Sequence, residues 1–414
     1  MISETVKGFS DFTGEEALKR EKIIGILQKN FKVYGFEPAE TPIVEFEEFV
    51  RGENEFDEAV SDIFKLKDKG ERKLALRYEL TFSLKRIAQN KKMPYKRYQI
   101  GAVFRDEPVS GNRLRQFTQA DIDVIGSTIK EEAEVLVCAS KIMKELGIEA
   151  EIQVNSRKLM NSAIKSLGID NVEFVLRELD KVDKQGEDFV KMEMNKFIDK
   201  ERIVKLFKLL GNKISFFRKF EGYKEMKRLI ELCREYGLEL QFKPMLARGL
   251  SYYNGSVFEL KTKEIKKLPK DSANGNFRLL KSNSNVPQDL KMKETIAGGG
   301  SYSVNNSAAT GISFGLERLS QLAKIKLDDK RVLIISISQD EKAINLAEKL
   351  RKNKIVVSIS DKVSKGLDYA NSYGYNFVIF IGSDEVKKKK FKLRDMNSGK
   401  EEFLGEREIL ERLK

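Results

Sequence analysis

Any chemistry in this chain has to run on arginine, carboxylates, phenols and the ions a substrate brings with it. None of its 414 residues is His, which removes the usual proton shuttle, the commonest zinc ligand and every Ser-His or Cys-His nucleophile pair. Four segments crowd polar groups beside β-forming apolar residues: Arg77 to Thr81, Arg105 to Gln119, Arg248 to Glu259, and Gly298 to Arg318. In YQIGAVFRDEPVSGNRLRQFTQADID, Arg105, Arg113 and Arg115 share a hairpin with Glu107, Gln119 and Asp123. Guanidinium forks on rigid strands match phosphate oxygens and never lose their charge. Pairing of the same arginines with neighbouring acids at an exposed strand accounts for them equally well. LARGLSYYNGSVFE sets Arg248 next to two tyrosines and ends in a β-type run. AGGGSY at 297–302 has no GK[ST] after it and opens no helix, so its glycines are read as allowing close approach of a ligand or a neighbouring strand.

The elements that must position these groups follow from periodicity. Thr13-Gly-Glu-Glu16 has the form of a capping box, and Ala17, Ile24, Leu27, Phe31 and Tyr34 recur at helical spacing until Gly35. FEPAETPIVEF is a short extended segment in which Pro42 suits an edge strand or a strand start. Residues 74–90 read as strand end, turn and helix, and YQIGAVFRDE with FTQADIDVIG as two antiparallel strands turning at SGNR. TGISFGLERLSQL reads as a strand that bends at Gly315 into a helix, with Arg318 in its first turn.

Residues 127–150 and 155–240 carry helical patterns unlike the strand-rich blocks on either side, which implies helical material inserted into a sheet-based core. The stretch 260–294 is Lys-, Asn- and Ser-rich with little periodicity, hence loop or loosely ordered. From Arg331, VLIISIS, KIVVSIS and NFVIFIG alternate with helices, one of them opened by Ser338 with Glu341, and predict a separate α/β domain with a mainly parallel sheet.

Composition bounds the partners. Lys plus Arg is 77 against 64 for Asp plus Glu, a net charge of +13, which favours a polyanion such as nucleic acid or else describes a Lys-rich solvated surface. Cys138 and Cys233 offer neither a disulfide framework nor a CxxC metal site, and no apolar run approaches a membrane span. A cytoplasmic protein with no membrane partner is expected.

Taken in order, these pieces resemble the class II aminoacyl-tRNA synthetases and are most similar to the histidyl-tRNA synthetase family. FEPAETPIVE is similar to motif 1, FRDEPVSGNRLRQF to motif 2 and GISFGLERL to motif 3. ARGLSYYNGSVFE with AGGGSY is similar to the histidine-specific segments, and the RYELT and QADID wording looks more like the archaeal and eukaryotic branch. The resemblance implies an α+β fold: a class II catalytic domain over 1–325 on an antiparallel sheet, with a helical insertion at 155–240, then an α/β anticodon-binding domain over 326–414. It also implies a homodimer meeting near Pro42.

By the same resemblance, Arg248 and Arg105 would hold the α-phosphate of ATP and act in catalysis. Glu107 would hold the adenine, and Arg113 and Arg318 the terminal phosphates with Mg²⁺. Glu79, Thr81 and Gln119 would take the ammonium of histidine, while Asp123, Tyr253 and Tyr302 read its imidazole. The metal has no protein ligand in this reading, and Lys387 to Lys390 suit an RNA backbone or a solvated loop equally. Ser251, Ser301 and Ser303 stand where the family has Asp, Arg and Asp, and Pro108 where motif 2 usually has Arg. The expected function is attachment of histidine to tRNA-His; the alternatives are a catalytically silent, histidine-sensing paralogue and a non-enzymatic tRNA-binding module.

Overall fold

A computed structural model describes residues 4–52, 60, 62–109, 114–247, 252–263, 295–327, 330–361 and 365–413. The chain forms two compact units, 1–325 and 326–414. Arg113, the SGNR turn, Arg248, Ser251 and most of the 260–294 stretch lie outside the described residues.

The strands of the first unit are β1 (Glu37–Pro38), β2 (Val44–Phe46), β3 (Lys65–Lys67), β4 (Lys73–Leu76), β5 (Tyr95–Phe104), β6 (Gln116–Ile125), β7 (Ala150–Ser156), β8 (Gln241–Phe242), β9 (Ser256–Thr262), β10 (Thr295–Val304) and β11 (Ser307–Gly315). Among the described residues they make an eight-stranded sheet ordered β1-β5-β6-β11-β10-β9-β7-β8 and a three-stranded sheet ordered β2-β4-β3. From β5 through β11, β10 and β9 to β7 every pairing in the large sheet is antiparallel, while its edges β1 and β8 pair in parallel. This is the antiparallel core that the alternating FTQADIDVIG pattern predicts.

One face of that sheet is closed by helices. Gly14–Val33 and Ile129–Glu145 bury Ile23, Leu27, Phe31, Val135, Leu136 and Ile142 against Ile122, Val154, Phe258, Ile312 and Phe314. Burying such side chains stabilises by about 1.5–3 kcal/mol each relative to exposure, so this shared core holds the strands in register. The segment between β7 and β8 divides in two. From Leu159 to Phe220 its helices have a core of their own, whereas Met226, Leu229, Leu232 and Cys233 of the helix Tyr223–Glu235 belong to the main core.

Three local readings fail. Thr13 precedes the first helix but makes no side-chain capping bond, because Gly14 takes φ +58 and turns the chain out of the geometry in which the hydroxyl meets the first-turn amides. A capping box does form at Thr128 and Glu131. Pro42 lies between strands; the prolyl edge residue is Pro38, in β1. In the second unit Ser338 sits at φ +55, and Ser336 takes over, accepting from the Gln339 amide at 3.2 Å and donating to Asp340 at 2.6 Å at the start of the helix Asp340–Lys352.

The second unit has strands β12 (Arg331–Ser336), β13 (Val356–Ser360), β14 (Phe377–Ile381), β15 (Phe391–Asp395) and β16 (Glu401–Leu404), ordered β13-β12-β14-β15-β16. The first three pair in parallel and the last two extend the sheet antiparallel. Among the described residues no helix is long and apolar enough to cross a membrane.

Candidate active site

The other face of the large sheet is hollowed by small residues. Gln119, Asp121 and Asp123 alternate on β6 and so point the same way; across the ladder they meet Gly315, Ser313 and Gly311 of β11 and Gly101, Gln99 and Arg97 of β5. Absence of a side chain at Gly311 is required, since a Cβ there would lie 2.1 Å from Oδ1 of Asp123. At Gly300 a Cβ would lie 2.7 Å from the Tyr253 ring. The result is a cleft of about 490 Å³ whose lining includes Glu79, Thr81, Arg105, Glu107, Gln119, Asp123, Tyr253, Tyr302 and Arg318. Every described residue named from the sequence for the site is therefore in one place.

Arg97, fully buried, pairs with Asp123 at 2.8 Å and donates to the Leu80 carbonyl at 3.1 Å, while the Tyr302 hydroxyl donates to the other oxygen of Asp123. Burial pushes the Asp123 carboxyl upward against the pull of Arg97 and of the Tyr302 hydrogen bond. Burial also pushes Glu79 up to about 7, opposed by Arg105 and reinforced by Asp121 and Asp123. The Tyr252 hydroxyl donates to Glu79 at 3.4 Å, and the rings of Tyr252, Tyr253 and Tyr302 cluster with centroids 4.7 to 6.5 Å apart. These groups give the cleft acidic and aromatic walls, suited to a small cation with a flat ring.

Basic groups line the same cleft. Arg105, at the end of β5, donates to the Tyr78 carbonyl at 3.3 Å, lies 5.1 Å over the Phe117 ring and stands 3.8 Å from Glu107. Arg115 takes the pairing role instead, 3.2 Å from Asp106 and 3.2 Å from the Glu107 carbonyl, and so fastens the hairpin end. Gly315 ends β11, and the helix Leu316–Leu322 holds Arg318 in its first turn, where it donates to the Thr295 carbonyl. Next to it Glu317 accepts from the Thr118 amide at 3.0 Å and from Arg20 at 3.0 Å, which locks that helix to β6.

Sequence reasoning passed over Arg97, Asp121, Tyr252 and Glu317. The alternation that selects Gln119 and Asp123 also selects Asp121, so that signal was present; a lone arginine such as Arg97 has none. The positions Ser301 and Ser303 are occupied by local bonds. Ser301 donates to Glu132 at 2.6 Å, Ser256 also donates to Glu132, and Ser303 accepts from Asn254 at 2.8 Å.

A family model described as histidyl-tRNA synthetase matches residues 8–268, and one described as anticodon binding domain matches residues 331–414. Histidine–tRNA ligase 1 of Bacillus cereus is 30% identical, covering 97% of this chain and 95% of its own length. Histidine–tRNA ligase of Helicobacter pylori is 30% identical over 96% of this chain and 94% of its own length. These relatives are bacterial, and the archaeal and eukaryotic wording of RYELT and QADID finds no support in them. In fold the chain is similar to a histidyl-tRNA synthetase from Nostoc, with a TM-score of 0.79 at 24% identity over 100% of this chain and 99% of that one. It is also similar to an ATP phosphoribosyltransferase regulatory subunit/histidyl-tRNA synthetase from Bacillus halodurans, with a TM-score of 0.73 at 20% identity over 92% of this chain and 98% of that one.

Proposed function

The chain belongs to the histidyl-tRNA synthetase family, and on that premise we propose that its cleft activates histidine with ATP and passes the histidyl group to the 3′ end of tRNA-His. A carboxylate oxygen of histidine attacks the α-phosphorus, the bond to the β-phosphate breaks, and pyrophosphate leaves. The terminal hydroxyl of the tRNA then attacks the carbonyl of the adenylate and AMP leaves. The observation that carries this reading is the joint lining of one cleft by buried Glu79 and Asp123 with Tyr253 and Tyr302, and by Arg105 and Arg318.

In this reading Glu79, Thr81 and Gln119 receive the ammonium, and Asp123, Tyr253 and Tyr302 receive the imidazole. Glu107 holds the adenine. Arg105 stabilises charge developing on the α-phosphate, and a guanidinium already fixed by the Tyr78 carbonyl and the Phe117 face needs little reorganisation during the step. Arg318 receives the terminal phosphates. Arg248 and Arg113 keep the phosphate roles assigned from sequence.

Among the described residues no group of three acidic, Cys or His side chains is placed to hold a metal ion. In this reading Mg²⁺ enters on the triphosphate, as part of the substrate. A cytoplasmic homodimer belongs to the same proposal.

The test is histidine-dependent exchange of pyrophosphate into ATP by the purified chain, without tRNA and with the other amino acids as controls. Exchange with histidine alone is the expected result. Binding of histidine without exchange would turn the reading to a silent histidine sensor. Arg248→Ala is expected to abolish the exchange while leaving the fold intact.

A further inference from the structure

Asp121 sits at the middle of the cleft floor, between Gln119 and Asp123 on β6 and opposite Ser313 on β11. It is 2% exposed, and its Oδ1 has no hydrogen-bond partner. Gln119 is similarly incomplete: its amide nitrogen donates to Ser313 Oγ at 2.6 Å, but its oxygen has no partner. A buried carboxylate oxygen left without a donor carries a desolvation cost that a ligand donor would relieve.

No hydrogen bond from a charged neighbour reaches that oxygen. Arg97 on β5 pairs with Asp123 through Nη2 at 2.8 Å, and its Nε and Nη1 have no hydrogen-bond partner. Arg77 is turned to the Thr41 and Ala102 carbonyls at 2.7 and 2.8 Å, and Arg105 to the Tyr78 carbonyl at 3.3 Å. Ser313 offers one hydroxyl, and the remaining charged neighbours, Glu79 and Asp123, are themselves acids. Among the described residues Asp121 forms no ion pair, and its Oδ1 and the Gln119 oxygen stand as acceptors without a donor.

Buried acceptors without donors, set among carboxylates, fit a ligand that brings several N–H groups and a positive charge. We propose that Asp121 is a further amino-acid-binding residue, whose carboxylate shares the substrate ammonium with Glu79 and Gln119. Together with Thr81 these acceptors match the three N–H bonds an ammonium offers, and the added cation offsets the repulsion between the two acids. Burial pushes Asp121 up to about 7, with Arg97 opposing and Asp123 adding to the rise, so near neutral pH the empty site holds protons that the ammonium displaces. This inference rests on the proposed function.

The experiment measures binding of L-histidine and of imidazolelactic acid, in which a hydroxyl replaces the ammonium, to the full chain and to Asp121→Asn. Asp121→Asn is expected to weaken histidine by about tenfold or more and to leave imidazolelactic acid and the KM for ATP within twofold of the unaltered chain. Equal weakening of both ligands, or none of either, overturns the role. A wild-type chain that binds no histidine removes the proposed function itself, which is a different failure.

Should Asp121→Asn fail to fold, calorimetry of histidine binding to Glu79→Gln in two buffers of unlike ionisation enthalpy decides the question. Proton release that persists there, and is absent with imidazolelactic acid, supports Asp121; no release in Glu79→Gln overturns it.

Discussion

At the scale of single residues, the site depends on keeping like charges buried together. Glu79, ordinarily near 4.5, is pushed to about 7, and Asp121, ordinarily near 3.8, to about 7 as well. Both folded-state values lie above the unfolded ones, so between about pH 4 and 7 the native chain binds more protons than the unfolded chain. Stability from these groups is then fully present at the acid end, declines as pH rises through that window, and levels off above it. The ligand-free Tm is expected to fall between pH 5 and 8, and Glu79→Gln to flatten the slope; a Tm that rises over that range in both proteins contradicts the burial argument. Arg105 has the phosphate role in the proposed reaction. Arg105→Ala is expected to lower the exchange rate about 10²–10³-fold, the range for losing one preorganised donor to developing charge, without moving the KM for histidine more than a few-fold in steady-state assays.

At the scale of elements, the strands position the acids only because β10 and β11 are thin. Gly311→Ala would drive a methyl into Asp123, whose two oxygens are held by Arg97 and Tyr302. The expected outcome is a histidine KM raised about tenfold or more with the KM for ATP nearly unchanged; kinetics in which both rise together would mean the sheet itself has shifted. Much of this layer was legible. Period-2 alternation in FTQADIDVIG, the bend at Gly315 and the absence of a helix after AGGGSY all hold, because each is dictated by local backbone chemistry. Arg97 and Glu317 were illegible, because their roles come from partners on other strands and helices, Asp123 and Thr118, that no spacing along the chain reveals. The caps at Thr13 and Ser338 were misread because composition marks a cap only where φ permits it, and Gly14 at +58 and Ser338 at +55 do not. Pro42 was misplaced by a few residues, as strand ends often are when two prolines compete for one edge.

At the scale of the whole molecule, the cores decide what can be separated. The clusters around Phe31 and Phe314, around Leu206 and Phe217, and around Tyr253 and Tyr302 draw only on residues of the first unit; those around Ile334 and Leu346 and around Leu333 and Val378 draw only on the second. Every residue lining the cleft also comes from the first unit. The two steps of the proposed reaction should therefore respond differently to removal of 326–414. Adenylate formation needs only the cleft, so a 1–325 fragment is expected to keep histidine-dependent pyrophosphate exchange within about tenfold of the full chain. Charging needs the tRNA, and for a chain of net charge +13 phosphate contacts that fall steeply with salt are expected to supply much of that affinity. The fragment should lose charging through a raised KM for tRNA, and the dependence of log KM on log salt should be shallower than in the full chain. If the folded fragment instead charges tRNA with the KM and salt slope of the full chain, the second unit has no part in holding the tRNA; if it loses exchange along with charging, the cleft depends on the second unit and its apparent independence is wrong.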